Sequence, residues 1–259
     1  MKQSLMVAAF LAVAQASLAQ VGFTGYYSQD FNSLQQAHPE NGSWDFIDNV
    51  TLEGWYSNKT TYRGGDGSSD ASSLWSLGAT GSSDRAFGNR QGDAQPTAEM
   101  ALRLRNDTGA TITSLNLQAF GELWRTPGTG RDQFGRIVAN PNTLFASFRV
   151  GGAALGDGSF TALDTLNVHS PSGDVDHENG IKMDGNLNRE ALSATLENLN
   201  WAPNQDFWLR WKGFNSPGGD AVMGIDDLTI SSTPAPEPAS LLLLGVGSGL
   251  LALRKRNRS

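Results

Sequence analysis

The sequence predicts an all-β fold, a two-sheet sandwich of jelly-roll or concanavalin-like type. Three features carry that prediction. Short runs of β-branched, aromatic and aliphatic residues recur along the chain, separated by clusters of Gly, Asn, Asp and Ser that favour turns. Within the runs, apolar and polar residues alternate with the period of two that a half-buried strand requires. No rhythm of strands interleaved with helical patterns runs through the chain, so a parallel βαβ sheet is not expected.

Taken in order, residues 1–19 read as a secretory signal peptide. Lys2 supplies the positive n-region, residues 5–13 an apolar h-region, and Ser17-Leu18-Ala19 the small residues of a cleavage site, with Ala14-Gln15-Ala16 as an alternative. Strands are predicted at 25–31, 52–56, 73–77, 98–105, 111–124, 143–150, 160–168, 207–211 and 222–230. In 188–199, Leu192, Leu196 and Leu199 have helical spacing, but Leu192, Ala194 and Leu196 also alternate, and the segment reads as a strand. Asn106-Asp107-Thr108-Gly109 between two alternating runs predicts a hairpin. Residues 20–230 then form one β-sandwich domain, a size that all-β folds reach undivided. The linker at 231–238 contains three prolines, which make a stiff spacer.

The segment that follows has three parts. Pro236, Glu237 and Pro238 precede an uncharged apolar run at 239–253, and the basic tail 254–259 carries Arg254, Lys255, Arg256 and Arg258. A helix of about fifteen residues reaches roughly 22 Å, short of the ~30 Å hydrocarbon core, and flanking Arg and Lys extend it by snorkelling. Their excess at this end predicts a cytoplasmic tail and an outward-facing domain. The three parts, in this order, resemble the PEP-CTERM sorting signal of diderm bacteria, which is read by exosortase, a membrane protease-transferase. The resemblance implies a transient inner-membrane anchor, cleavage at or near Pro-Glu-Pro, and delivery to the cell surface or extracellular polymer matrix. Such a tail is an address and implies little about what the cargo does.

The body resembles a group of PEP-CTERM cargo domains at five places. These are Tyr27-Ser28-Gln29-Asp30-Phe31-Asn32-Ser33-Leu34, the stretch 76–88, Gly121-Glu122-Leu123-Trp124-Arg125, Leu209-Arg210-Trp211 and Gly224-Ile225-Asp226-Asp227-Leu228. The group has no settled activity. An Ile-Asp-Asp-Leu strand also occurs in carbohydrate-binding and concanavalin-like sandwiches, which supports the fold.

Charge narrows the partners. Five of the 19 basic residues and one of the 26 acidic ones lie in the two ends, leaving the body 14 cations against 25 carboxylates, a net −11. Such a surface repels nucleic acid and anionic lipid, and argues for a neutral polymer if it binds one. With no cysteine there is no disulfide, thiolate metal site or cysteine nucleophile.

Parity assigns faces. Ala98, Met100, Leu102 and Leu104 form one apolar row, Leu115, Leu117 and Ala119 a second, and Phe207, Leu209 and Trp211 a third. If these strands are neighbours, Trp124, Trp208, Glu122, Arg103 and Arg210 share an outer face. Rings beside hydrogen-bonding charges suit a sugar, whose C–H face lies on the ring while its hydroxyls meet the charges. The alternative is cross-strand ion pairs with the rings covered by a loop.

Catalytic patterns are sparse. His38, His169 and His177 are scattered, and neither His-x-x-x-His nor Gly-x-Ser-x-Gly occurs. Glu53, Glu99 and Glu122 are candidates for the two carboxylates about 5–10 Å apart that glycoside cleavage needs. Asp174, Asp176 and Glu178 alternate in a loop as candidate ligands of a structural calcium, without the glycine of an EF-hand, and Asp66, Asp70 and Asp84 lie in Gly/Ser-rich loops; solvated acids are the alternative in each case. Asp226 and Asp227 fall on opposite faces of the last strand, and an inward Asp226 is expected to bond a loop or an arginine. These readings converge on an exported, non-enzymatic surface or matrix protein. A polysaccharide-binding module and a glycan-active hydrolase or lyase remain the alternatives.

Overall fold

The computed structural model describes residues 20–34, 42–131, 133–138, 140–173 and 176–232. The signal-peptide reading of 1–19 and the tripartite tail, with Pro236, Glu237, Pro238 and the four terminal cations, lie outside these residues. Strands follow one another as β1 Val21–Phe23, β2 Tyr26–Gln29, β3 Ser43–Asp45, β4 Trp55–Ser57, β5 Thr61–Gly65, β6 Ser73–Leu77, β7 Ala86–Arg90, β8 Thr97–Asn106 and β9 Leu115–Arg125. Then come β10 Gly130–Arg131, β11 Ile137–Val138, β12 Thr143–Val150, β13 Thr161–Ala162, a 3-10 turn Asp164–Leu166, β14 Val168–His169, β15 Arg189–Leu196, β16 Asp206–Phe214 and β17 Val222–Ser232.

They build an all-β sandwich of two sheets. The seven-stranded sheet runs β1-β8-β16-β12-β13, with β14 also on β12 and β4 on β8. The eight-stranded sheet runs β15-β9-β17-β7-β6-β5-β3, with β2 also on β17. Strands adjacent in sequence fall in opposite sheets (β8 and β9, β15 and β16, β16 and β17), so the chain repeatedly arches over the core, as in a jelly roll.

This arching corrects the hairpin expected at 106–109. Both β8 and β9 carry an apolar row, and placing the strands in facing sheets lets the two rows bury one another. Asn106 serves the arch. Its buried side-chain amide donates to the carbonyls of Ala110 (2.8 Å) and Trp201 (2.7 Å), and its oxygen accepts the Thr108 N–H (3.0 Å). The core holds the rows that parity assigned: Met100, Leu102 and Leu104 opposite Leu115 and Leu117, with Phe207, Leu209 and Trp211 beside Ile225, Leu228 and Ile230.

Other boundaries differ from the expected ones for local reasons. Residues 160–168 break into β13, the 3-10 turn and β14, because the Asn167 side chain takes the Ala146 N–H (2.7 Å) in place of a ladder bond. Strand β7 is not among the strands expected from the sequence because it reads Ala-Phe-Gly-Asn-Arg, without alternation, although every residue in it is buried. Its Arg90 is accommodated by donating from Nε to the Asp220 carbonyl (2.8 Å) and from Nη1 to the Asp70 carbonyl.

Candidate functional site

Because the inner parity of β8, β12 and β16 is apolar, the outer face of the seven-stranded sheet receives the alternate residues. Register places Phe145 beside Lys212 and Lys212 beside Glu99. The next row is Ser147, Arg210, Ala101 and Tyr56, and the third is Arg149, Trp208 and Arg103. Phe214 stands opposite Thr97.

One end of this face is open. Phe145 and Phe214 are 45 % and 49 % exposed, with ring centroids 5.8 Å apart and edge-to-face. Lys212 Nζ lies 5.1 Å from the Phe214 ring and 2.7 Å from Glu99 Oε1, while Arg210 Nη1 reaches Glu99 Oε2 at 3.3 Å. Arg210 also donates to Ser147 Oγ (3.2 Å). The other end is roofed. Trp208 is fully buried, stacked between Arg103 (5.4 Å) and Arg149 (5.0 Å), and its Nε1 donates to the Gly152 carbonyl (2.9 Å). Arg103 is also ion-paired to Asp206 at 2.6 Å.

The structure therefore splits the face expected from the sequence. Trp208, Arg103 and Arg210 lie together on the seven-stranded sheet, but Trp124 and Glu122 belong to β9 on the eight-stranded sheet and point out of its far side. Nor are the two Trp rings exposed. Trp124 is 1 % accessible and packs with Trp75, Leu77, Ala86 and Val222 in a second small core. Residues 183–185 cover it: Met183 N–H donates to the Trp124 carbonyl (2.8 Å), and no Cβ fits at Gly185 against its indole. The aromatic rings this face leaves exposed are instead Phe145 and Phe214. Both have the outer parity of their strands, Phe214 continuing the row of Trp208, Arg210 and Lys212, and that alternation was the signal available.

On the far face, Glu122 and Asp226 form a buried acidic pair. Glu122 lies opposite Gly224 and Asp226 opposite Phe120, so the two carboxylates are diagonal neighbours across β9 and β17. Glu122 Oε2 accepts the Trp124 Nε1–H (2.8 Å), while its Oε1 has no hydrogen-bond partner. Burial, reinforced by Asp84 and Asp227, pushes the Glu122 carboxyl up to about 7 against the Trp124 hydrogen bond and the Arg189 charge. Burial, with Asp227, Glu122 and Asp84 adding repulsion, pushes Asp226 up to about 8 despite the Asp227 N–H. Asp226 thus bonds neither a loop nor an arginine as expected. It accepts the Asp227 N–H (2.8 Å) within a bulge where Asp227 takes φ of 48°.

The remaining candidate carboxylates lie as follows. Glu99 and Glu122 face away from each other on opposite sheets, so they cannot flank one glycosidic bond, and Glu53 is exposed in the turn before β4. Of the candidate calcium ligands, Asp174 lies outside the described residues, while Asp176 and Glu178 are exposed in a loop. Among the described residues no three His, Cys, Asp or Glu side chains gather closely enough to hold a metal. Asp66 is engaged otherwise, by Lys182 Nζ at 2.5 Å and Thr80 Oγ1 at 3.0 Å.

Comparisons with known proteins bear on the two parts of the chain differently. No curated protein matches the chain. Among solved structures it is similar to the CBM22-2 xylan-binding domain of Paenibacillus barcinonensis Xyn10C, at 8 % identity and a TM-score of 0.40 over 74 % of this chain and 99 % of that one. The K2 cleaved adhesin domain of Lys-gingipain gives 14 % identity and a TM-score of 0.38, covering 81 % and 98 % of the two chains. The xylan-binding module CBM15 gives 14 % and 0.35, covering 76 % and 99 %. These values carry no residue from those proteins to this one. The PEP-CTERM protein-sorting motif, by contrast, matches residues 234–257, which span Pro-Glu-Pro, the apolar run and the first three terminal cations. The chain is an exported β-sandwich protein that bears the PEP-CTERM sorting motif.

Proposed function

We propose that the protein is a non-enzymatic component of the cell surface or extracellular polymer matrix, and that it binds polysaccharide on the outer face of its seven-stranded sheet. The observation that supports this reading is the exposed Phe145–Phe214 pair beside the Lys212–Glu99–Arg210 ladder. The rings offer a hydrocarbon surface for the C–H face of a sugar, and the ladder offers fixed donors and acceptors for its hydroxyls. Binding rather than catalysis is favoured because Glu99, the carboxylate beside the rings, is held by two cations at once. Both rings are about half exposed, so the double change Phe145→Ala, Phe214→Ala should leave the melting temperature nearly unchanged and lower retention on a polysaccharide gel at least about tenfold, stacking being worth roughly 0.5–1.5 kcal/mol per aromatic contact beyond area. Unchanged retention would refute the platform.

The sorting motif supports a processing step in the same reading: exosortase-type cleavage near Pro236-Glu237-Pro238 after a transient stay in the inner membrane. Replacing the three residues with alanine should leave export intact and accumulate uncut precursor in that membrane. Intact mass of surface material is the check, and a mature surface form that still ends at Ser259 would count against cleavage.

A further inference from the structure

The roofed end of the same face has a composition of its own. Residues 151–160 fold back over it without burying any of their own side chains. Gly151, Gly152 and Gly158 supply φ of 87°, 88° and 63°, which let the segment turn out of β12 and back into β13. Its hold on the sheet is narrow. Gly151 N–H donates to the Asp206 carbonyl (2.7 Å), the Gly152 carbonyl accepts from Trp208, the Ala154 carbonyl accepts from Arg149 Nη2, and Phe160 lies under the guanidinium groups of Arg149 (4.6 Å) and Arg210 (3.8 Å). The acid in this segment, Asp157, is turned inward on the segment itself, accepting the N–H groups of Ala153 and Ala154 at 2.8 Å each.

Beneath it, Arg149 is 6 % exposed, and its Nε and Nη1 have no hydrogen-bond partner. Buried donors without acceptors are costly and rare, and a guanidinium carries its donors in a planar fork that matches a carboxylate. Arg210 is its diagonal neighbour, and Trp208 separates it from Arg103. The face carries five cations, of which Arg103 pairs with Asp206, Arg105 with Asp107, and Arg210 and Lys212 with Glu99, while Arg149 donates to the Ala154 carbonyl. Burial lowers the Arg149 pKa, Asp157 opposes that shift most, and the Arg210 and Arg103 charges add to it.

We propose that residues 151–160 are a lid over an anion site, and that Arg149, beside Arg210 and Trp208, receives the carboxylate of a uronate-bearing polysaccharide when the lid lifts. This rests on the proposed binding role of the same face and names its substrate class. It also reverses the preference for a neutral polymer that the net charge of the body suggested. At about 0.15 M salt charges are screened beyond roughly 8 Å, so a docked uronate feels the local cations and not the distant carboxylates. Lifting the lid would also bare Trp208 and Tyr56, whose centroids are 5.1 Å apart, and extend the Phe145–Phe214 platform.

The test uses the full chain in detergent with two forms of one backbone, polygalacturonate and its fully methyl-esterified derivative. Polygalacturonate should bind at least about tenfold more tightly, an advantage that shrinks steeply as salt rises. Arg149→Gln should abolish the difference while leaving the methyl ester bound as before, and Arg149→Lys should restore part of it. On adding polygalacturonate, and not the ester, the amide hydrogen of Gly151, whose acceptor is the Asp206 carbonyl of β16, should exchange faster as the lid opens. If Arg149→Gln fails to fold, the ester comparison, the salt dependence and the exchange on the unaltered protein still decide the matter. Equal affinity for both forms overturns the anion site but leaves the platform standing, provided the Phe145, Phe214 double change still weakens both. Tighter binding of a sulfated polymer than of polygalacturonate overturns the carboxylate assignment. Binding to none of these polymers overturns the site together with the role it rests on.

Discussion

Trp211→Ala should cost about 3–5 kcal/mol of folding stability, the range seen when a large aromatic is cut from a packed core. The ring is fully buried between the sheets, stacked on Trp55 at 6.4 Å between centroids with an interplanar angle of 18°. Its Nε1 donates to the Leu166 carbonyl (3.0 Å), so truncation leaves a cavity and an acceptor without its donor in one step. A melting temperature lower by on the order of 10 °C is expected for a domain of this size. Chemical denaturation would give the free energy directly. A loss under about 1 kcal/mol would mean that the inner row of β16 is not the one that fills the core.

The second large effect is a fall in stability with rising pH, traced to Glu122 and Asp226. In the unfolded chain these groups titrate near 4.5 and 3.8, and in the fold near about 7 and about 8. Between those limits these two groups hold more protons in the folded protein than in the unfolded one, so their contribution to stability is greatest below about pH 4, falls through the interval, and levels off above about pH 8. Each tenfold gain in proton affinity on folding is worth about 1.4 kcal/mol, so Glu122 alone accounts for roughly 3 kcal/mol, and because the pair is coupled the two titrate together. Glu122→Gln keeps an acceptor for the Trp124 indole and removes the titration. It should therefore raise stability at pH 8 relative to pH 4, compared with the unaltered protein. Measuring both proteins against pH cancels the contributions of other carboxylates, and parallel curves would refute the account.

The outer and inner faces were legible in the sequence because strand parity is local geometry. Along β8 and β16 each residue's side follows from its neighbour's, and Met100, Leu102, Leu104, Phe207, Leu209 and Trp211 lie where alternation placed them. Sheet membership is not local. The turn at 106–109 has hairpin chemistry, yet its Asn106 caps an arch between sheets, and this separates Glu122 and Trp124 from Trp208, Arg103 and Arg210. Strand β7 shows the converse, since its burial comes from neighbours on both sides and leaves no alternating mark.

What the sequence determined by itself was the address and the class of fold. A sorting motif is read as a linear string, so Pro236-Glu237-Pro238, the apolar run and the terminal cations are legible without any tertiary contact, and the match to the PEP-CTERM motif at 234–257 covers all of them but Arg258. An all-β sandwich follows from period and turn chemistry, which act over a few residues. Only the tertiary structure decided which rings face water. Trp124 and Trp208 have outer parity, but residues 183–185 and 151–160 cover them, while Phe145 and Phe214, at the uncovered end of the seven-stranded sheet, stay open. Solvent exposure depends on whatever else in the chain folds over a side chain, and that is set by contacts between segments far apart in sequence.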